Sequence, residues 1–532
     1  MKHKFILTLL TGILLSLGWP TYGFPILLFI ALVPLLSFVQ STQNSSSKNK
    51  NIIVFGYSYL AFLIWNISTT WWIYNSSVFG AIFAILCNSS FYAILVTFYH
   101  WSLKHLSKAL AAVFLITLWI SFEKFHLFWD FSWPWLNLGN AFSEHIYWIQ
   151  WYEYTGVFGG TLWILALNFF FLSCYQAYEK DHSHKKLIKN CIPGLLGIAF
   201  PILLSLLIYT NTEKPDSKIE IVLLQPNIDP YQEKYALENQ DFKSLMFEIS
   251  EKKISNETEY LLAPETYFAS GSGFDLETFQ NNPFNKSLEN HIRKYSKLNL
   301  LTGVQFYRVY RTKDEPSPTA NKIQELFWVD FYNSAVQIAP DKETQIYHKS
   351  KLVVGVENMP YKSFFKPLLG EFMLDLGGTV SSRATQQKRS VFSHSIHGTQ
   401  TAPIICYESI YGEFVTEYAR KGAQFFSILT NDAWWGNTQG HKQLLSYARL
   451  RAIENRRFIA RSANTGISAF INTKGEIVDS LEYNKKGSLK GAVGLNNELT
   501  FYTRFGDFIA LFSLYTFLLI LIYTMGKVFR KQ

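Results

Sequence analysis

The sequence is poor in charged side chains and in cysteine, and it has no internal repeat or long low-complexity segment. Asp, Glu, Lys and Arg make up 17% of the 532 residues, against roughly 25% in an average soluble domain. With 48% hydrophobic residues this composition excludes a disordered chain, and four cysteines are too few for a disulfide-rich scaffold. The mean hydropathy of +0.06 lies between the values typical of cytosolic enzymes and of chains wholly in lipid. We therefore expect two kinds of segment in one chain.

Eight long apolar runs make up the hydrophobic part of the chain. Most of them approach or reach the roughly 20 residues that cross a bilayer, and the first and fifth are short. The runs are Phe5–Trp19, Phe24–Val39, Ile52–Tyr74, Phe79–Tyr99, Leu110–Phe122, Thr161–Tyr175, Ile192–Tyr209 and Phe508–Met525. They predict a membrane domain with seven transmembrane helices over residues 1–212, a polar domain over 213–502, and an eighth helix with its tail over 503–532.

Lysine and arginine mark alternate loops between these runs, as the positive-inside rule requires. The basic positions are Lys2, Lys4, Lys48, Lys50, Lys104, Lys108, Lys180, Lys185, Lys186, Lys189, Lys527, Arg530 and Lys531. The loop at Asn75–Val78 has no basic residue, and Glu123–Gly160 has only Lys124. Both chain ends are thus predicted to be cytoplasmic, and the polar domain to lie outside the cytoplasm. The net charge of +9 then reflects topology rather than nucleic-acid binding.

The polar domain alternates predicted strands with predicted helices, which favours an α/β layered sandwich. The strands are Ile219–Asn227, Tyr260–Glu265, Leu300–Phe306, Phe327–Ile338, Pro403–Cys406, Phe425–Asn431 and Ile467–Asn472. The helices are Pro283–Leu298, Ser409–Lys421 and Gln443–Ala460.

Cys406 is the one cysteine in this domain, and it ends an apolar strand just before a predicted helix. A thiol at such a turn is exposed at the sheet edge, where helix amides stabilise a thiolate. Glu265 ends another strand, and Lys349 follows a third. Acyl transfer requires a nucleophile, a base for its proton and a positive donor for the oxyanion, which these three types supply. Considered singly, a buried structural thiol and two surface residues remain the alternative.

The motifs around these residues resemble known proteins. Glu265 in Ala-Pro-Glu, Lys349 in Tyr-His-Lys-Ser-Lys-Leu-Val and Cys406 in Ile-Cys-Tyr-Glu resemble the Glu–Lys–Cys triad of the nitrilase superfamily. With Thr430–Gly436, Arg461–Gly466 and the eight apolar runs, the chain is similar to the bacterial apolipoprotein N-acyltransferase family over nearly its whole length. This resemblance implies a membrane α-helical bundle of about eight transmembrane helices that carries a nitrilase-like αββα sandwich.

The resemblance also implies an activity. Members of this family transfer an acyl chain from a membrane phospholipid to the α-amino group of the lipidated N-terminal cysteine of an apolipoprotein. Cys406 would be the nucleophile that carries the acyl chain as a thioester in ping-pong chemistry, Glu265 the general base, and Lys349 the oxyanion donor. The supporting residues that it implies are Glu357, Tyr407, Glu408, Trp434 and Tyr235. We also predict an arm at the membrane interface over Pro360–Gly378, which includes Phe364 and Phe365.

The chain departs from the family pattern at three places. Near the first strand, where the family often has tryptophan, it has Tyr235. The usual Pro-Phe-Gly-Glu is Val354-Gly355-Val356-Glu357, and the usual Trp-Pro-Glu is Ala263-Pro264-Glu265.

The expected partners are a phospholipid donor, a diacylated apolipoprotein acceptor and the bilayer, with no cofactor, no metal and no nucleic acid. We expect a monomer in the bacterial inner membrane with a periplasmic catalytic domain. Two alternatives stay open: a membrane-anchored amidase of the nitrilase type that uses water, and a non-enzymatic transporter or lipoprotein-binding protein. The rarity of ionisable residues inside the runs counts against a coupled carrier, and the scattered His394, His397 and His441 give a metal mechanism no support.

Overall fold

A computed structural model describes residues 2–213, 215–229, 237–311, 316–324, 327–361, 364 and 382–530 of the protein. The chain divides into two units. The first unit comprises Met1–Tyr74, Ala81–Asn211 and Phe505–Gln532, and the second comprises Asn75–Gly80 and Thr212–Arg504.

The first unit is helical. Its helices are α1 (Lys2–Leu17), α2 (Leu28–Ala31), α3 (Val33–Thr42), α4 (Lys50–Thr70), α5 (Val78–Ser102), α6 (Lys108–Phe125), α7 (Tyr152–Thr155), α8 (Val157–Asp181) and α9 (His184–Asn211), and a further long helix, Phe508–Phe529, follows the second unit. All eight predicted runs lie in helical segments. Within the described residues, six segments are long and apolar enough to cross a membrane: Pro25–Thr42, Lys50–Asn75, Val78–Ser102, Val157–Asp181, His184–Asn211 and Phe508–Phe529. The two others are α1, with 16 residues, and α6, which has charged residues at both ends.

A buried carboxylate fixes the segment between α6 and α8. Glu123 accepts hydrogen bonds from Trp119 Nε1 at 3.1 Å, the Leu138 N–H at 2.8 Å and the Thr161 hydroxyl at 2.7 Å. A charged group in an apolar surrounding requires such partners. Glu123 therefore connects α6, the loop after it and α8 in one hydrogen-bond network.

The second unit contains fourteen strands among the described residues, in two sheets. They are β1 (Lys218–Gln225), β2 (Thr258–Leu262), β3 (Phe274–Asp275), β4 (Asn299–Arg311), β5 (Asn321–Gln324), β6 (Phe327–Ile338), β7 (Gln345–His348), β8 (Phe392–Ser393), β9 (Gln400–Ile405), β10 (Phe425–Thr430), β11 (Ile459–Ala463), β12 (Ser468–Ile471), β13 (Ile477–Leu481) and β14 (Gly487–Gly494). The first sheet has the order β14-β1-β2-β4-β6-β5, with β3 beside β4 and β7 beside β6, and the second has the order β13-β12-β11-β10-β9-β8.

The two sheets pack face to face, with β1 against β11 and β6 against β9. Helices α10 (Asn239–Ser250) and α11 (Pro283–Ile292) cover the first sheet, and α12 (Gly412–Arg420) and α13 (Gln439–Asn455) lie on the side of the second. The helix α14 (Phe501–Phe505) precedes the long helix α15 (Phe508–Phe529). The predicted fold class is confirmed: a helical membrane unit with an αββα sandwich.

The topology explains where a site can form. Strands β1, β2 and β4 are parallel to one another, and so are β9, β10 and β11. Their carboxyl ends therefore meet along one edge of each sheet, where loops carry the functional side chains.

Two predicted helices were wrong at their ends. The predicted helix Pro283–Leu298 ends at Ile292. The predicted helix Gln443–Ala460 ends at Asn455, because Arg456 adopts a left-handed conformation with φ of 48° that terminates it. Ile459–Ala463 is then a buried central strand of the second sheet.

Candidate active site

The structure brings together the three residues that the sequence predicts for the site. Glu265 follows β2, Lys349 follows β7 directly, and Cys406 follows β9 directly. They are 7%, 1% and 6% exposed. The Lys349 ammonium lies 2.9 Å from Glu265 Oε1, and both of these charges act on the Cys406 thiol. An acid, a cation and a thiol thus share one buried site.

Glu265 has two differently bonded oxygens. Its Oε1 accepts hydrogen bonds from Lys349 Nζ at 2.9 Å and from Asn333 Nδ2 at 2.8 Å. Its Oε2 accepts one hydrogen bond from the part of the chain that the structure describes, a longer one of 3.2 Å from the Asn431 N–H. Oε2 is therefore the atom with the capacity to take a proton.

The turn that carries Glu265 requires a glycine on the neighbouring strand. A Cβ atom at Gly303 of β4 would lie 2.3 Å from the Thr266 nitrogen and 2.5 Å from the Pro264 oxygen. The Gly303 N–H instead donates to the Pro264 carbonyl at 3.1 Å. Thr266 itself has a φ of 46°, in the left-handed region. Close backbone approach therefore sets the position of the carboxylate.

Lys349 lies between two carboxylates, since its ammonium is also 2.8 Å from Glu357 Oε2. Burial by itself would lower the pKa of Lys349, but the charges of Glu265 and Glu357 outweigh burial and raise it above the ordinary value. Burial works to raise the pKa of Glu357, but Lys349 and Arg383 together lower it. Lys349 and Glu357 are therefore both ionised, and Lys349 carries a positive charge in the site. The neighbouring Lys351 instead lies over the ring of Tyr411, 4.9 Å from its centroid.

Cys406 begins a 3₁₀ turn, Cys406–Ile410, with a φ of 49°. Left-handed backbone at a residue other than glycine is strained and is typical of functional sites. Burial raises the pKa of the Cys406 thiol, the charges of Glu265 and Asp432 raise it further, and Lys349 opposes them. The resting thiol is therefore neutral and requires a base before it can attack a substrate.

Glu408 connects the Lys349 loop to the Cys406 turn. Its Oε1 accepts hydrogen bonds from the Tyr347 hydroxyl and the Ser350 N–H, both at 2.7 Å, and its Oε2 accepts one from the Ile405 N–H at 2.8 Å. Burial raises the pKa of Glu408 to about 7, against the effect of these hydrogen bonds. The side chain therefore positions both loops.

The other predicted site residues have different locations. Tyr407 is buried, and its ring packs edge-on against Tyr411 at 5.5 Å. Trp434 is half-buried in the 3₁₀ turn Ala433–Trp435, which follows β10. Phe364 is 67% exposed. Tyr235 and Phe365, and with Phe365 most of the predicted arm, lie outside the described residues.

The sequence analysis missed two asparagines of the site. Asn333 of β6 donates to both Glu265 and Glu357, at 2.8 and 2.9 Å. Asn431 follows β10 and donates its N–H to Glu265. The signal for Asn333 is an amide in the middle of an otherwise mostly apolar strand, since buried polar groups require partners.

A pocket opens beside Glu265. It is lined by Ile228, Phe242, Glu265, Thr266, Tyr267, Asn431 and Asn464. The wall thus combines apolar side chains with amide groups and includes the carboxylate of the site.

Two family models and several curated proteins match this chain. Residues 11–170 match the apolipoprotein N-acyltransferase N-terminal domain, and residues 314–497 match the carbon-nitrogen hydrolase family. The apolipoprotein N-acyltransferase of Chlorobaculum tepidum is 29% identical over 526 residues, which cover 96% of this chain and 94% of the relative. The apolipoprotein N-acyltransferase of Rickettsia typhi is 26% identical, and the match covers 99% of this chain and 98% of the relative.

The chain belongs to the apolipoprotein N-acyltransferase family. Lys349, Glu357 and Cys406 fall within the carbon-nitrogen hydrolase match, and Glu265 precedes it. Among solved structures, an amidase from Nesterenkonia sp. is 17% identical and covers 55% of this chain and 94% of its own, with a TM-score of 0.35.

Proposed function

We propose that this protein transfers an acyl chain from a membrane phospholipid to the α-amino group of the lipidated N-terminal cysteine of an apolipoprotein. The observation that carries the proposal is the buried ion pair of Glu265 and Lys349 beside the strained Cys406 turn. The attached helical membrane unit and the full-length family relatives support a lipid donor and a lipoprotein acceptor.

The first half-reaction forms a thioester. Glu265 Oε2 takes the proton from Cys406 Sγ, and the sulfur attacks the ester carbonyl carbon of the phospholipid. Lys349 donates a hydrogen bond to the oxyanion that develops. The carbon–oxygen bond then breaks, and Glu265 returns its proton to the departing lysophospholipid hydroxyl. The acyl chain stays on Cys406.

The second half-reaction uses the same groups. The acceptor α-amino nitrogen attacks the thioester carbon while Glu265 takes a proton from that nitrogen. Lys349 again stabilises the oxyanion, and the carbon–sulfur bond breaks. The Cys406 sulfur leaves and takes from Glu265 the proton that came from the amine, so that an amide is formed and both the thiol and the carboxylate are restored. One site thus serves both substrates in turn, which is ping-pong chemistry.

The remaining predicted residues support this chemistry from outside the reacting atoms. Glu357 fixes Lys349 at 2.8 Å, and Glu408 connects the two loops that carry Lys349 and Cys406. Tyr407 and Trp434 shape the surroundings of the thiol.

We place the protein in the bacterial inner membrane as a monomer. Both chain ends are cytoplasmic and residues 213–502 are periplasmic in this proposal, which rests on the distribution of lysine and arginine. Both substrates can then reach the site from the same side of the bilayer.

Transfer to a synthetic diacylated lipopeptide tests the proposal. Purified full-length protein is incubated with phospholipid and the peptide, and the products are identified by mass spectrometry. We expect an N-acylated peptide and a lysophospholipid with wild-type protein and neither product with Cys406→Ala. Cys87→Ala, a change in α5, is the matched control and keeps the activity. Release of free fatty acid without N-acyl peptide would overturn the proposal in favour of a hydrolase.

A further inference from the structure

Asn333 lies in a closed ring of four side chains at the centre of the site. Its Nδ2 donates to Glu265 Oε1 at 2.8 Å and to Glu357 Oε1 at 2.9 Å. Lys349 Nζ contacts the same two carboxylates at 2.9 and 2.8 Å. The backbone carbonyl of Asn333 also accepts the Lys349 N–H at 2.8 Å. One asparagine therefore touches every charged member of the ring.

Chemistry fixes the orientation of this amide. An amide NH₂ group has two hydrogens, and here each has its own carboxylate. The reverse orientation would direct Oδ1 at two carboxylate oxygens. In the observed orientation Oδ1 is buried and has no hydrogen-bond partner among the described residues. A buried acceptor without a partner destabilises the folded protein, so the benefit of this asparagine lies in its two N–H groups.

We propose that Asn333 is a positioning residue of the acyl-transfer site: its two N–H groups hold Glu265 and Glu357 as separate carboxylates and leave Glu265 Oε2 to accept the Cys406 proton. This inference rests on the proposed function. With two donors on Oε1 and one longer bond on Oε2, the proton goes to the oxygen with the weaker contacts.

The surrounding charges explain why a neutral donor is needed. Lys349 from the loop after β7, Glu357 and the Cys406 thiol face Glu265, and Arg383 acts on Glu357. A second carboxylate close by disfavours ionisation, and hydrogen bonds to the ionised form favour it. Without the Asn333 donors, a proton binds to the carboxylates at a higher pH, and the base is lost over that range.

The test compares two changes on one face of β6. Asn333→Leu removes the two donors. Gln337→Leu is the matched control, because Gln337 is four residues further along the strand and is also a buried amide. Its oxygen has no hydrogen-bond partner in the described part of the chain, and its Nε2 donates to the Ser393 carbonyl at 2.7 Å. The rate of Cys406 acylation by phospholipid is measured by intact mass across the pH range, together with the melting temperature.

We expect the acid limb of the Asn333→Leu profile to move to higher pH by about one unit, with a rate about tenfold lower on that limb and a recovery at high pH. Gln337→Leu keeps the wild-type limb even where its melting temperature falls as far. Should Asn333→Leu not fold, Asn333→Asp keeps the shape, adds a third carboxylate and moves the limb further in the same direction.

Two outcomes distinguish a failure of the positioning role of Asn333 from a failure of the proposed function. Parallel profiles for the Asn333 variants and Gln337→Leu would overturn the positioning role, because a structural loss lowers the rate equally at every pH. If the wild-type protein itself is not acylated at Cys406, the proposed function fails instead.

Discussion

Replacement of Lys349 by methionine removes the cation but keeps a side chain of similar length. The ammonium lies 2.9 Å from Glu265 and 2.8 Å from Glu357; Lys349 and Glu265 are buried, and the Glu357 side chain is 13% exposed. Its loss leaves two carboxylates close together without their common counter-charge. Removal of one partner of a buried ion pair costs about 3–5 kcal/mol. We therefore expect Lys349→Met to lose about that much free energy of unfolding in the second unit, besides all acyl transfer.

A second change distinguishes charge from packing. In Lys349→Met/Glu357→Gln one of the two uncompensated charges is gone, so we expect recovery of about 1–3 kcal/mol without recovery of activity. Lys297→Met is the matched control, because Lys297 pairs with Glu257 at the surface, where the two side chains are 32% and 74% exposed. An exposed pair contributes at most about 1 kcal/mol.

Thermal unfolding of the full-length protein in detergent measures these differences. For a domain of this size 3–5 kcal/mol corresponds to a fall of about 10 °C in melting temperature. A Lys349→Met protein that melts within about 2 °C of wild type would refute the buried ion-pair account. The account is also refuted if the double variant Lys349→Met/Glu357→Gln melts at a lower temperature than Lys349→Met.

Three further changes test individual contacts. Gly303→Ala places a methyl group against the backbone of the Glu265 turn, and we expect activity to fall at least about tenfold, since the displaced carboxylate no longer meets the thiol. Burial raises the pKa of Glu408 to about 7, so the folded protein holds a proton that the unfolded chain releases above about pH 4.5. This group therefore makes the protein lose stability as pH rises to about 7, by about 2–3 kcal/mol, and Glu408→Gln should lack this part of the pH dependence of the melting temperature. Arg451→Met removes the cation that contacts the fully buried Glu454 at 2.8 Å, and we expect the free energy of unfolding to fall by about 3–5 kcal/mol in denaturation measurements.

The ends of strands could be predicted from the sequence because apolar runs stop abruptly there. Glu265, Lys349 and Cys406 follow three such ends. β2 and β9 pair in parallel with neighbours in two different sheets, whereas β7, before Lys349, is antiparallel to β6. The contacts among the three side chains depend on the packing of two sheets. The two hydrogen bonds of Asn333 to residues 68 and 24 positions away are of this kind, and no local pattern specifies them.

In the membrane unit, too, the helical segments could be predicted from the sequence, whereas the contacts between them could not. Long apolar runs can be recognised without periodicity, and the eight runs lie in helical segments, although Phe24–Val39 is divided among a 3₁₀ turn and two short helices. The run within α6 looked short because charged residues flank it. The structure gives the physical reason why one of them is tolerated: Glu123 receives the Leu138 N–H and the Thr161 hydroxyl from segments that follow it in the chain.

The mass of the intact protein after exposure to phospholipid, with no acceptor present, tests the central claim most directly. The account predicts one added acyl chain on Cys406 that is released by hydroxylamine and by a diacylated lipopeptide. Cys406→Ser should gain no acyl group that the lipopeptide removes. An unmodified wild-type protein that still converts the lipopeptide, or an acyl group on any other residue, would contradict it.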